Sequence, residues 1–152
     1  LQNIRDGKID KSKFVDLSIS DVLETTITSF LFENQKEKEL LNVNYDNDFV
    51  FKGDEVLMSF VILNLLRNAL CYQAKINIWM DLETRTLHFK DDGVGIDEDK
   101  LPHIFDDFFT SDKKGGTGLG LPFCKRVMTA FGGDISVKSE VGKGTEFCLR
   151  FE

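Results

Sequence analysis

The sequence predicts an α+β fold in which helices cover one face of a mixed sheet. Three observations carry this. Apolar residues recur at helical spacing in some segments and alternate at strand spacing in others. The two patterns mix without a strict strand–helix–strand rhythm, which disfavours an all-parallel sheet. The length of 152 residues, 41% hydrophobic and 30% charged, suffices for one domain with a full core.

The elements follow in order. Residues 1–13 carry four Lys or Arg and little apolar periodicity, and read as the end of something upstream. From Asp16 a weak alternation gives way to helical spacing at Leu23, Ile27, Phe30 and Leu31. Asp21 and Glu24 stand at capping-box spacing, with Asp in place of Ser or Thr, and predict the helix start. The charged run Glu33 to Glu39 closes that helix. Strand-like runs at Leu40–Tyr45 and Phe49–Phe51 are separated by the turn residues Asp46-Asn47-Asp48. Gly53-Asp54 opens a strongly apolar helix over Glu55 to Leu70. Alternation over Lys75–Leu82 and again over Thr86–Lys90 predicts a hairpin. Leu121 to Phe131 reads as a helix stopped by Gly132-Gly133. Strands Ile135–Ser139 and Thr145–Phe151, joined by Gly142-Lys143-Gly144, finish the chain.

Charge and composition exclude several functions. With 19 Lys and Arg against 26 Asp and Glu, the net charge of −7 disfavours bulk electrostatic binding to nucleic acid or an anionic membrane. The longest apolar stretch is broken by Asn64, Arg67 and Asn68, so no segment reads as a membrane span, and none reads as a secretory leader. Three cysteines, Cys71, Cys124 and Cys148, form no CxxC pair, and His88 and His103 complete no metal cluster at ligand spacing. Reduced thiols in a cytosolic compartment are the plain reading. A first residue of Leu rather than Met suggests a fragment of a longer chain.

Four features ask for chemistry. Asn64, Asn68 and Tyr72 lie at steps of four on one helix face. Asn is poorly suited to helix interiors, so this is either a solvated face or a pair of amide oxygens for a hard cation such as Mg²⁺. Asp91-Asp92-Gly93-Val94-Gly95-Ile96 follows an apolar strand. It is either an acidic turn, or a carboxylate for an exocyclic amine beside glycines that admit a flat ligand. The run from Gly115 to Leu121 enters a helix with glycines at Gly116, Gly118 and Gly120. Exposed N–H groups there suit a phosphate chain, although neither the P-loop nor the Rossmann spacing is present; the alternative is a connector. Six of the twelve glycines fall between Asp91 and Gly120. Finally, Ile104-Phe105-Asp106-Asp107-Phe108-Phe109 precedes Lys113-Lys114, which can meet phosphate or simply be solvated.

In this order and spacing, the four features resemble the catalytic ATP-binding domain of bacterial sensor histidine kinases, within the gyrase–Hsp90–histidine kinase–MutL superfamily. Asn64 to Ala69 resembles the N box, Asp91 to Ile96 the G1 box, Ile104 to Phe109 the F box and Gly116 to Leu121 the G2 box. Gly142 to Phe147 resembles the closing glycine turn and last strand. The resemblance spans about residues 14–152 and implies a Bergerat two-layer α/β sandwich that binds ATP with Mg²⁺. By position it implies that Asn68 ligands Mg²⁺ and Asn64 supports the polyphosphate. Asp91 would accept from the adenine amine, with Tyr72 against the ring, Gly93 and Gly95 admitting it and Thr145 near the adenine end, and Ile96 and Phe105 would also belong to the nucleotide site. Gly116, Thr117, Gly118, Leu119 and Gly120 would close over the phosphates, with a lid from about Phe108 to Gly116.

Two positions qualify this. Where family members often carry Lys or Arg, three residues after the magnesium Asn, this chain has Cys71, so Lys113 or Lys114 is expected to compensate. Where the superfamily's ATPases and serine kinases resemble one another in a general-base Glu, this chain has Asn64. Asn takes no proton, and an imidazole acceptor needs less base help than water, so the expected reaction is phosphoryl transfer to histidine. The acceptor is expected on a preceding dimerisation domain whose last helix or linker residues 1–13 would complete. A receiver domain or response regulator would take the phosphoryl group onward, in a homodimeric protein of the bacterial inner membrane whose kinase domain is cytoplasmic. The wording "FKDDGVGI", "LPHIFDDFFT" and "GLPFCKRVM" is further similar to quorum-sensing hybrid kinases that detect α-hydroxyketone autoinducers. The alternative is a nucleotide-binding regulatory module that has lost catalysis.

Overall fold

The computed structural model describes residues 4–5, 8–30, 32, 34–109 and 120–152. Two-residue strands β1 (Ile4–Arg5) and β2 (Lys8–Ile9) pair antiparallel and lead into a 3-10 turn at Lys11–Lys13. This stretch is strand and turn where the sequence reading expects a helix end or a linker.

Strand β3 (Val15–Ser18) runs directly into helix α1 (Ile19–Ser29). Ser18, not Asp21, is the cap: its Oγ accepts from Asp21 N at 3.1 Å. Asp48 decides the matter from thirty residues away. Its carboxylate accepts from Ser18 Oγ at 2.7 Å and from Ser20 N at 2.9 Å. The helix stops at Ser29, and within the charged run that follows a separate one-turn helix forms, α2 (Gln35–Lys38), capped by Asn34. Strands β4 (Leu41–Val43) and β5 (Val50–Gly53) come next, with Asn47 left-handed between them at φ 67°.

Helix α3 (Glu55–Leu70) starts where the sequence predicts, because Asp54 accepts from Leu57 N at 3.0 Å. It is the core's centrepiece, burying Leu57, Met58, Val61, Ile62, Leu65, Leu66, Ala69 and Leu70. A Schellman turn closes it: Gln73 N donates to Leu70 O and Ala74 N to Ala69 O, with Gln73 left-handed at φ 56°. The hairpin of β6 (Ile76–Asp81) and β7 (Thr86–Asp91) follows, and then helix α4 (Gly120–Ala130) with strands β8 (Asp134–Glu140) and β9 (Gly144–Arg150).

The main sheet has the order β4-β6-β7-β9-β8, antiparallel except that β4 runs parallel to β6. β5 instead pairs antiparallel with β3, so the turn at 46–48 joins two sheets rather than closing a hairpin. Alternation sends Ile76, Ile78, Met80, Leu87, Phe89, Phe147, Leu149 and Ile135 inward against α1, α3 and α4. The opposite face carries Trp79, His88, Glu146 and Cys148, all only half-buried. Helices on one face of a mixed sheet is the expected architecture.

Candidate functional site

The end of β7 is the best-defined part of the site. Asp91 stands in register with Ile76 on one side and Thr145 on the other, between two buried strands. Its Oδ1 accepts from Gly93 N at 2.9 Å, which holds the carboxylate in place as the chain leaves the sheet. Burial pushes the Asp91 carboxyl above its ordinary value, while the backbone N–H groups of Gly93 and Thr145 oppose the shift. A carboxylate in that position favours a partner that donates a hydrogen bond. Next to it, buried Thr145 pairs through Oγ1 with Ser139 Oγ at 2.8 Å, and the same Ser139 Oγ accepts from Ile96 N at 2.8 Å. Ser139 thus ties the loop after β7 to the β8–β9 hairpin, a role no motif in the sequence announces.

Two glycines make this lock possible. A Cβ on Gly144, whose φ is 119°, would lie 2.0 Å from Asp91 O. A Cβ on Gly95, at φ 78°, would lie 2.2 Å from Glu140 O. Gly95 borders the cleft, but its lack of a side chain is required on the other side, where two backbones meet. Gly142 N completes the seam by donating to Val94 O at 2.9 Å.

Tyr72, Gly95 and Ile96 line one open cleft of about 230 Å³ together with Val94, Asp97, Lys100 and Val141. Val94 and Val141 are strongly exposed at its rim, which offers apolar contact to a flat ring. Lys100 contributes a cation there, 3.5 Å from Asp97 Oδ2. Sequence reasoning missed Lys100 because it lies in a charged run (Asp97 to Lys100) indistinguishable from a solvated turn.

The N-box residues lie on α3. Asn64 is half-buried, and its Nδ2 donates to Phe60 O at 2.9 Å. Its Oδ1 faces the first residue of α4: a Cβ on Gly120 would come within 2.9 Å of it. This glycine therefore lets α4 close on α3. Asn68 is exposed one turn further on, near the C-terminal end of the helix. That end carries the negative pole of the helix dipole, and an amide oxygen there fits a hard divalent cation.

The F-box segment docks on α4. Ile104 is buried, Phe105 lies under Lys125 Nζ at 5.3 Å from its ring centroid, and Asp107 meets Arg126 at 3.3 Å. Phe105 is thus a packing residue in this arrangement. Phe108 is 75% exposed and left-handed at φ 65°, costly for a bulky side chain. Lys113, Lys114, Gly116, Thr117, Gly118 and Leu119 lie outside the described residues.

Comparison with known proteins shows the family and the fold. Residues 53–152 match the family described as histidine kinase-, DNA gyrase B- and HSP90-like ATPase. The chain is 36% identical to the CAI-1 autoinducer sensor kinase/phosphatase CqsS of Vibrio cholerae, over 99% of this chain and 23% of that protein. It is 40% identical to the autoinducer 1 sensor kinase/phosphatase LuxN of Vibrio campbellii, over 99% of this chain and 19% of that protein. The chain therefore spans about a fifth of the length of these curated relatives. In fold it is similar to the catalytic domain of histidine kinase ThkA, with a TM-score of 0.73 at 23% identity over 91% of this chain and 95% of that one.

Proposed function

The chain belongs to the histidine kinase-, DNA gyrase B- and HSP90-like ATPase family, as the catalytic domain of a sensor histidine kinase, and from that premise we propose that it binds Mg-ATP and presents the γ-phosphoryl group to a histidine on a dimerisation domain of the same protein. Asp91 accepts from the exocyclic amine of adenine, with Thr145 beside it and Tyr72, Ile96 and the Val94–Val141 rim against the ring. Asn68 holds Mg²⁺, which when bound neutralises polyphosphate charge. The chain's own part is to orient the nucleotide and exclude misplacement, the chief contributions expected in phosphoryl transfer.

Asn64 is the observation that carries transfer over hydrolysis. Its amide is engaged with Phe60 O and packed against Gly120, and an amide accepts no proton. Water needs such a base; an imidazole arrives with its own lone pair. Purified chain mixed with its separate dimerisation domain and labelled ATP should give an acid-labile, base-stable phosphohistidine. Nucleotide binding without transfer would instead support the regulatory-module reading, which Cys71 favours by standing where a basic residue is usual.

The same premise extends to the wider protein. Both similar Vibrio proteins are named as autoinducer sensor kinase/phosphatases, and we infer a quorum-sensing hybrid kinase that passes phosphoryl groups to a receiver and is anchored in the inner membrane as a homodimer. No helix among the described residues is long and apolar enough to cross a membrane. Lys113 and Lys114 are proposed to meet phosphate in place of the residue at Cys71. Changing both to Ala should weaken ATP binding by about three- to tenfold, the scale of one or two exposed charge contacts; unchanged affinity would remove them from the site.

A further inference from the structure

The sheet face that turns away from the helices holds a group of side chains with no part in the nucleotide site. His88 on β7 and Cys148 on β9 are register partners, and Glu146 stands two residues before Cys148 on the same face. His88 Nδ1 and Glu146 Oε2 are 2.9 Å apart, Cys148 Sγ and Glu146 Oε2 3.3 Å, and Cys148 Sγ and His88 Nδ1 3.5 Å. Nitrogen, oxygen and sulfur thus form a small triangle. A tetrahedral Zn²⁺ with ordinary bond lengths needs ligand-to-ligand edges of about 3.3–3.6 Å. Two of the edges already lie within a few tenths of an ångström of that range, and the third needs only a slight parting of His88 and Glu146. Sequence spacing conceals the group, because His88 lies 58 and 60 residues from its two partners.

From this geometry we propose that His88, Glu146 and Cys148 form a binding site for a borderline transition-metal dication, Zn²⁺, on the outer face of the sheet. Three protein ligands leave one tetrahedral position to solvent, and all three side chains are half-buried, so an ion can reach them. A thiolate and a carboxylate together offset the charge of the dication, and the thiol gives up its proton to solvent as the sulfur–metal bond forms. The donor set separates this site from the one proposed at Asn68: sulfur and nitrogen select zinc over magnesium, and an amide oxygen does the reverse. A cysteine nucleophile is the rival chemistry. It fails on geometry, because Glu146 and Cys148 both approach the same ring nitrogen, leaving no relay through the ring. Trp79, the single tryptophan, stacks on His88 with ring centroids 4.7 Å apart and planes 5° from parallel. It orients the imidazole and reports on it.

Titrating the chain with Co²⁺ as a probe should give one ion per chain, tetrahedral visible bands, a thiolate-to-cobalt charge-transfer band in the near ultraviolet and quenched Trp79 emission. Adding Zn²⁺ should displace the cobalt. Cys148→Ser should lose the charge-transfer band, and both it and His88→Ala should weaken Zn²⁺ binding at least about tenfold while Mg-ATP affinity stays unchanged. A charge-transfer band that survives Cys148→Ser would place the thiolate at Cys71 or Cys124 and overturn the proposal, as would Zn²⁺ affinity equal in the wild type and both variants. A measurement on the wild type alone guards against variants that fail to fold. Zn²⁺ should slow alkylation of Cys148, read by peptide mass, while leaving Cys71 unaffected; equal rates with and without Zn²⁺ would also overturn it.

Discussion

The two ends of the proposed nucleotide site are built on different principles. At the Asp91 end, position is held by backbone: Gly93 N grips the carboxylate, and Gly144 and Gly95 let three chain segments meet. Ser139 joins two of those segments through Ile96 N and Thr145. At the Asn68 end, position is held by one exposed side chain on a long helix whose opposite face is the core. A change to the backbone seam at the first end is therefore expected to disturb fold and binding together, whereas a change to the Asn68 side chain is expected to leave the fold standing. Base recognition needs a preorganised, partly dry acceptor. Phosphoryl transfer needs a ligand that meets a hydrated cation.

The largest effect should come from Gly144→Ala. Its methyl group would sit 2.0 Å from Asp91 O at a φ of 119°, so the β7–β9 ladder must part beside the carboxylate. We expect about 3 kcal/mol of destabilisation, and a melting temperature lower by about 6–12 °C, with ATP binding lost as well. Thermal unfolding with and without nucleotide checks both. A variant as stable as the wild type would mean that the seam is not tight.

Asn68→Ala breaks the comparison from the other side. Exposed on its helix, the substitution should change stability by no more than about 0.5 kcal/mol, yet reduce transfer at least about 100-fold. Stability and transfer assays on the same preparation measure the two together. Loss of both in parallel would mean that the two ends are built alike.

Asp91→Asn sharpens the contrast because stability and binding should move in opposite directions. Asp91's pKa is raised in the folded state, so on acidification the fold takes up a proton before the unfolded chain does. The stability this proton contributes is fully present below the unfolded pKa and is lost as pH rises through the folded one. At neutral pH the ionised carboxylate is then a cost to the empty domain, and Asn, which can still accept from Gly93 N, removes it. The variant should melt higher at pH 7 and bind ATP at least about tenfold more weakly. In the wild type, ATP affinity should fall as pH drops through the raised pKa, and calorimetric titration over the acid range should show that dependence vanish in the variant.

Legibility in the sequence followed the same divide. Helix α3 was readable to the residue because its cap, Asp54, and its apolar stripe are local. The N cap of α1 was not: Asp21 and Glu24 have the local spacing of a cap, but the residue that fixes Ser18 in that role, Asp48, is remote in sequence. Asp46-Asn47-Asp48 was readable as a turn because a turn is local, but the partners of β4 and β5 are strands elsewhere and were not. Asn68 and Asp91, the residues proposed for the site, stand in motifs that composition and spacing single out, and the resemblance of those motifs to a family is what proposes their roles. Ser139, Lys100 and the group around His88 depend on register across strands or on a loop's path, and no short window contains that information.

The smallest effect tests the join between the two ends. Gln73 closes α3 one turn after Asn68 and leads to β6, and it does so left-handed at φ 56°. For a residue with a side chain that conformation costs about 1–2 kcal/mol, and glycine would relieve it. Glycine also gains about 0.5–1 kcal/mol of backbone freedom in the unfolded chain, which opposes the relief. The net expectation for Gln73→Gly is stabilisation by about 0.5–1 kcal/mol, or about 1–4 °C in melting temperature. Because the Schellman bonds from residues 73 and 74 are made by backbone N–H groups, they survive the change, and so should the placement of Tyr72 at the cleft. ATP affinity should stay within about twofold, since no group at the cleft is removed. A stabilised variant with weakened binding would show that the Gln73 side chain positions Tyr72, and the helix end would then belong with the half of the site that side chains hold.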